Sequence, residues 1–395
     1  MFGKLYGDGI HDDTVALQEL IDNSKSELCL PAPMVCYLIS KPLELPSNFK
    51  LKLPRFAEIK LKENSNCVML KNKTLIDRAV RDTSELYGFL NEYSPDYPCK
   101  NIEVEGGIWN FNNKEQAPNP LVTDECKIEG YGGFIMLFYN VKNFRISSLT
   151  LKDPVTYAVI FDRVSYFTVD NIIFDFNYGN PLATNMDGIH LNGNCHFGNI
   201  YNLKGACYDD LIALNADEGS QGPITNIDIN GLYAEDCHSA VRLLSANCKV
   251  ENIHISNVFG TYFQYCIGLT RFYETRDKGL FDGITLDNIY VSKAERKAIY
   301  NKKPEDYIFP IIYIADKIHV KGLKVSNLHR REYINPVATF RIREESIVEK
   351  LILDNITTEN HTEGENMPLI ENFGEIKNLY SNMVFADGNQ MKTLC

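Results

Sequence analysis

Phe167-Thr-Val-Asp-Asn171-Ile, Ile227-Asp-Ile-Asn-Gly231-Leu, Ile253-His-Ile-Ser-Asn257-Val and Ile284-Thr-Leu-Asp-Asn288-Ile are four copies of one pattern, apolar-x-apolar-x-Asn/Gly-apolar. Ile318-His-Val-Lys-Gly322-Leu and Leu351-Ile-Leu-Asp-Asn355-Ile repeat it, with looser copies at Asn202 and Asn378. Successive anchors from Asn171 to Asn378 lie 31, 29, 26, 31, 34, 33 and 23 residues apart, and Gly106 and Ser148 mark earlier, less regular copies. A recurring unit of this size signals stacked supersecondary modules. Within each unit the apolar/polar alternation has period two and favours a strand, while the following Asn or Gly suits a tight bend in left-handed backbone. Second strands fall between anchors: Tyr157 to Phe161, Gly188 to Leu191, Leu211 to Leu214, Ala240 to Leu244, Cys266 to Thr270 and Ala338 to Ile342.

Short strands, unequal insertions and no helical period predict an all-β chain, a parallel β-helix of about ten coils, each burying its inward side chains on the last. One domain spans 1–395, with a cap region over 1–25 and regular coils over roughly 95–390. An open terminal coil would expose a strand edge. Asp12-Asp13-Thr14 followed by Val15, Leu17, Leu20 and Ile21 predicts an N-capped amphipathic helix that closes it.

Outward side chains align from coil to coil, so residues one period apart converge. Asn185-Met-Asp187-Gly188-Ile-His190 and Tyr208-Asp209-Asp210-Leu-Ile-Ala-Leu214 both lead into strands, and Asp187 and Asp209 are 22 residues apart, close to one coil. Alignment of the strand starts gathers Asp187, Asp209 and Asp210. Three neighbouring carboxylates repel, which raises at least one pKa and leaves a neutral acid beside ionised neighbours. Glycosidic cleavage needs that pair of states. An Asp-Asp pair before a strand is also ordinary turn chemistry, and it is the register with Asp187 that favours the catalytic reading. Clustered carboxylates suit hard cations as well, which keeps a calcium site open as the alternative.

Two stretches resemble known families. Tyr6-Gly-Asp-Gly-Ile-His-Asp-Asp-Thr-Val-Ala-Leu-Gln18 resembles the opening motif of the pectate-lyase-like β-helix superfamily, and Asn185-Met-Asp187-Gly with Asp209-Asp210 resembles the polygalacturonases of glycoside hydrolase family 28. The resemblance implies a right-handed parallel β-helix and hydrolysis with inversion, without a cofactor or metal. It implies Asp209 as general acid, with Asp187 and Asp210 activating water. Cys237-His238-Ser239 stands where that family has Gly-His-Gly, so His238 is expected to tune the acid. Asn185, His190, Arg242, Arg271 and Tyr273 are the expected substrate-binding residues. Tyr273 replaces a family lysine, and with it goes one charge from the grip on a uronate carboxylate. Of the aromatics Phe272, Tyr273, Tyr307 and Tyr313, some are expected to wall the cleft, and the charged loop Arg271 to Lys278 is the expected specificity element.

Composition bounds the partners. With 44% hydrophobic residues, the chain can bury a large core; 40 basic against 52 acidic residues give a net charge of −12 and no long basic block, which disfavours nucleic acid. The most apolar run, Gly133 to Val141, is too short to cross a bilayer, and residues 1–9 lack the apolar core of a signal peptide. The 11 cysteines show no CxxC pair or zinc spacing, and an odd count leaves at least one free thiol. The expectation is a glycoside hydrolase acting on a pectic or related polysaccharide or oligosaccharide, as a monomer. The rivals are a calcium-dependent polysaccharide lyase and a non-catalytic, tailspike-like carbohydrate-binding β-helix. Loops at Glu85 to Tyr97 and Tyr300 to Tyr307 would decide exo or endo action.

Overall fold

In a computed structural model, described over residues 4–73, 99–122, 128, 131–272, 277–295, 309–363, 366–387 and 389–390, the chain winds into a right-handed parallel β-helix. Among the described residues, every strand pairing is parallel except the final turn-back of Leu379–Ala386 on Asn389–Gln390. One inward column reads Leu43, Leu70, Met136, Val159, Ile189, Ile212, Val241, Ile267, Ile312, Phe340 and Ile370, each residue stacked on the next. All of these are buried except Ile370, which is partly covered at the end of the stack. Burial of such columns at about 25 cal/mol per Å² is the main stabilising contribution.

The coils begin earlier than 95. Glu27–Cys29 already pairs with Phe49–Lys52, and Phe49–Lys52 with Cys99–Glu105. These first strands, most of them three or four residues long, lack the repeating Asn anchor and so escaped the pattern. Long strands turn corners where a residue takes left-handed φ: Val159–Asp175 bends at Arg163, Tyr166 and Asn171, with φ of 55°, 54° and 57°. Ser148, Asn171, Asn202, Gly231, Asn257, Asn288 and Asn355 all occupy such corners. Two anchors are corrected by the register. Asn327, not Gly322, stacks between Asn288 and Asn355, and Met383, not Asn378, follows Asn355. Asparagine side chains hydrogen-bond up the corner: Asn257 Nδ2 donates to Asn230 Oδ1 at 3.0 Å, and Asn355 Nδ2 to Asn327 Oδ1 at 2.7 Å. This ladder lies on the partly exposed edge of the coil and is scaffold.

The helix Thr14–Asn23 buries Thr14, Ala16, Leu17 and Ile21 over the first coil. Gln18 closes the edge of Leu43–Leu45: its Nε2 donates to Glu44 O at 3.1 Å and its Oε1 accepts from Glu44 N at 2.8 Å, as a further strand would. The capping differs from expectation. Asp13 precedes the helix but makes no side-chain cap bond; its carboxylate accepts from Tyr6 N and Gly7 N at 2.6 and 3.0 Å, tying the opening loop down. Asp12 takes over, accepting from Thr14 N at 2.9 Å. No helix among the described residues is long and apolar enough to cross a membrane. Cys207 and Cys266 are buried free thiols.

Candidate active site

Four consecutive short strands, Ile189–Asn192, Asp210–Asn215, Ser239–Leu244 and Ile267–Thr270, form one face, and the turns leading into them carry the predicted carboxylates. Ile189 pairs with Ile212, which carries Asp187 and Asp210 to adjacent rungs of one column; Asp210 in turn pairs with Ser239. Gly188 permits that approach, since a Cβ there would lie 2.5 Å from Leu211 O and 2.8 Å from the Phe174 ring. The result is the predicted cluster: one oxygen from each of Asp187, Asp209 and Asp210 lies within 4.8 Å of the others.

The three differ in access. Side-chain exposure is 4% for Asp187, 2% for Asp210 and 14% for Asp209. Asp209 alone of the three lines a cleft of about 340 Å³, together with Asn185, Glu218, Arg242, Gln264, Tyr265, Thr270, Arg271, Phe272, Phe309, Tyr313, Ala315 and Asp316. Burial, with the charges of Asp209 and Asp187, pushes the Asp210 carboxyl well up; Arg242 and the Ser239 hydroxyl, which donates to Asp210 Oδ1, pull the other way. Asp187 is also raised by burial and by Asp209, but the His190 ring opposes the shift. Such a cluster holds protons in common, and the deepest carboxyl is the one driven furthest toward neutral.

His238 is fully buried, its Nδ1 3.3 Å from Asp209 Oδ1 and its ring stacked near Phe263. This is the contact expected of a residue that tunes Asp209. Arg242 projects toward the cleft with a terminal nitrogen 3.8 Å from Asp210 Oδ2, and its Nε donates to Thr270 Oγ1 at 3.1 Å. Arg271 and Asn185 also line the cleft, as do Phe272 and Tyr313. Tyr273, Tyr307, the segments Glu85 to Tyr97 and Tyr300 to Tyr307, and part of the loop Arg271 to Lys278 lie outside the described residues.

One predicted ligand-binding residue has another place. His190 is 2% exposed and does not line the cleft. Its Nδ1 lies 2.6 Å from Asp187 Oδ2 and its Nε2 2.9 Å from Glu218 Oε2, under the ring of Tyr157. Several cleft residues escaped the sequence reading, Glu218 and Tyr265 among them. Glu218 sits with Asp217 in the loop after Asp210–Asn215, where an acidic pair before Gly219 reads as ordinary turn chemistry. Tyr265 folds its ring over Gly268, where a Cβ would lie 2.6 Å from that ring, so the bare strand position was the available signal.

No protein-family model matches this sequence, nor does any curated protein. Solved structures do. The chain is similar to the family 28 exopolygalacturonase of Yersinia enterocolitica, at 13% identity and a TM-score of 0.56, over 96% of this chain and 77% of that one. It is similar to the hyperthermoactive exopolygalacturonase of Thermotoga maritima, at 14% identity and a TM-score of 0.54, over 96% and 90% of the two chains. It is likewise similar to a mutant tailspike protein of E. coli bacteriophage HK620 in complex with a hexasaccharide, at 13% identity and a TM-score of 0.58, over 97% of this chain and 64% of that one. These are β-helix proteins, and likeness at such identity establishes the fold.

Proposed function

We propose that this protein is a glycoside hydrolase acting on a pectic or related polysaccharide or its oligosaccharides, by acid/base chemistry at Asp187, Asp209 and Asp210. The observation that carries the reading is one carboxylate exposed, above two buried ones, to a cleft that also holds Arg242 and Arg271. Asp209 reaches the glycosidic oxygen and donates its proton; Asp187 and Asp210 hold the attacking water; His238 borders the acid. Arg242 and Arg271 supply the cations that a uronate or other anionic sugar would need. Both exopolygalacturonases and a hexasaccharide-bound tailspike share the fold, which is consistent with a carbohydrate partner.

The finer reading is inversion. One oxygen from each carboxylate lies within 4.8 Å of the others, nearer the roughly 5–5.5 Å of a retaining pair than the roughly 6.5–9.5 Å of the usual inverting pair, so the inverting reading places the water beside the buried pair rather than midway between acid and base. A lyase would need a cationic base, and Lys204, the lysine nearest in sequence, is exposed at the end of His196–Lys204 and does not line the cleft.

The test is product release from polygalacturonate, rhamnogalacturonan and neutral pectic side chains, with and without a chelator, following reducing ends and unsaturated-product absorbance together. Reducing ends without absorbance are expected, indifferent to chelator and reduced on the order of 10²–10⁴-fold in Asp209→Asn, the usual weight of a general acid. Chelator-sensitive absorbance would move the protein to the lyases; binding without product would support the tailspike-like alternative. Early proton NMR of the product anomer separates inversion from retention, and retention would overturn the shared-water step alone.

A further inference from the structure

The cluster of three carboxylates poses a question of charge: with oxygens within 4.8 Å, which member stays ionised as the base? His190 bears on it. The imidazole lies between two buried carboxylates, Asp187 Oδ2 at 2.6 Å from Nδ1 and Glu218 Oε2 at 2.9 Å from Nε2. Both ring nitrogens therefore face anionic acceptors, which only the doubly protonated imidazolium satisfies. Each partner is held in turn. Asp187 Oδ1 accepts from Asp210 N at 3.2 Å, and Asn215 Nδ2 donates to Glu218 Oε2 at 3.0 Å. Tyr157 stacks on the ring at a centroid distance of 4.2 Å.

We propose that Glu218 and His190 form a charge clamp on Asp187, positioning residues that fix it as the ionised base of the cluster. This rests on the hydrolase reading for its catalytic meaning. Among the described residues, the ring nitrogen 2.6 Å from Asp187 is closer than the cation at Asp210, where the Arg242 guanidinium lies 3.8 Å away. Negative charge thus settles on Asp187, and the protons that the cluster holds go to Asp209 and Asp210. Glu218 serves as counter-charge: it lies on the far side of the ring, so the imidazolium is balanced even when Asp187 takes a proton from water.

The surroundings of His190 support a retained charge. Asp187 and Asn192 face it from its own coil, Glu218 from the next and Tyr157 from the one before; Asn192 links onward to Asp162 at 3.1 Å, and Arg242 acts on Glu218 from the cleft. Burial alone would neutralise the ring, but the bonds to Asp187 and Glu218 outweigh it and lift its pKa to about 10. Glu218 is held low by His190 and Arg242 despite burial.

Two measurements separate the clamp from the hydrolase reading. In ¹⁵N-labelled full-length protein without substrate, His190 is expected to show two protonated ring nitrogens at pH 8, and a neutral ring there would overturn the clamp whatever the activity. In His190→Gln, the acid limb of kcat/KM on the best pectic substrate is expected to move up by about one pH unit, with activity partly restored at higher pH and KM within about twofold. Glu218→Gln, which removes one of the two anions that hold the ring charged, should lower the pH at which His190 loses its second ring proton, and serves if the first variant does not fold. A uniform loss at every pH would mean a merely structural role and overturn the proposal. An imidazolium in an enzyme that turns over no glycan would leave the clamp standing and remove the hydrolase.

Discussion

Two outward columns of this β-helix climb the same ladder of backbone and look nothing alike. One reads Tyr233, Phe259, Tyr290, His329, with ring centroids 5.4, 5.3 and 4.7 Å apart and planes within 14° of parallel. The other, on the face of the cleft, reads His190, Ala213, Arg242, Gly268, Tyr313, Arg341. Strand spacing near 4.8 Å suits ring on ring, so a column of like residues satisfies itself with its own neighbours. A column that changes at each rung cannot. Ala213 and Gly268 leave room, and side chains from turns and neighbouring strands fill it: Tyr265 lies over Gly268, and Arg242 reaches back toward Asp210. Repetition builds scaffold, and broken repetition makes space for chemistry.

The contrast can be broken by substitution. Arg242→Ala should have the largest effect, lowering kcat/KM on an anionic pectic oligosaccharide by about 10- to 100-fold, the weight of one charge-assisted contact in a covered site. Arg242→Lys should restore only part of this, because a point charge replaces a planar fork. Full activity in Arg242→Ala would make the broken column mere surface. Phe259→Ala, in the regular column, should cost about 1–3 kcal/mol in urea unfolding through two lost ring contacts and some buried area. Its activity should stay within twofold, and a specific loss of turnover at unchanged stability would show that the regular column also has a function. Asn257→Gly should have the smallest effect. Glycine keeps the left-handed corner at φ 57°, so the cost isolates the side-chain bonds to Asn230 and Asn288, about 1 kcal/mol.

The repeated pattern made the β-helix legible because each coil must hide one apolar face and turn at fixed corners, which imposes period two and left-handed asparagines. The Asp187/Asp209/Asp210 cluster was legible for the same reason: parallel register carries a spacing in sequence into a distance in space. Misplaced anchors mark where that reasoning stops. Gly322 and Asn378 fit the local pattern, but they stand just before the strands whose stacked corners are Asn327 and Met383, five residues on, and only pairing with neighbouring coils fixes register.

The sequence by itself therefore determined the coil, its N-terminal closure by a helix and the meeting of three carboxylates, all consequences of periodic local rules. The tertiary structure alone decided that His190 is covered, that Glu218 reaches it from a loop on the next coil, that Asp13 ties down the opening segment and that Tyr265 fills the space over Gly268. These depend on side chains crossing between coils, where the partner is chosen by depth and vacant volume, and neither is written in any local pattern.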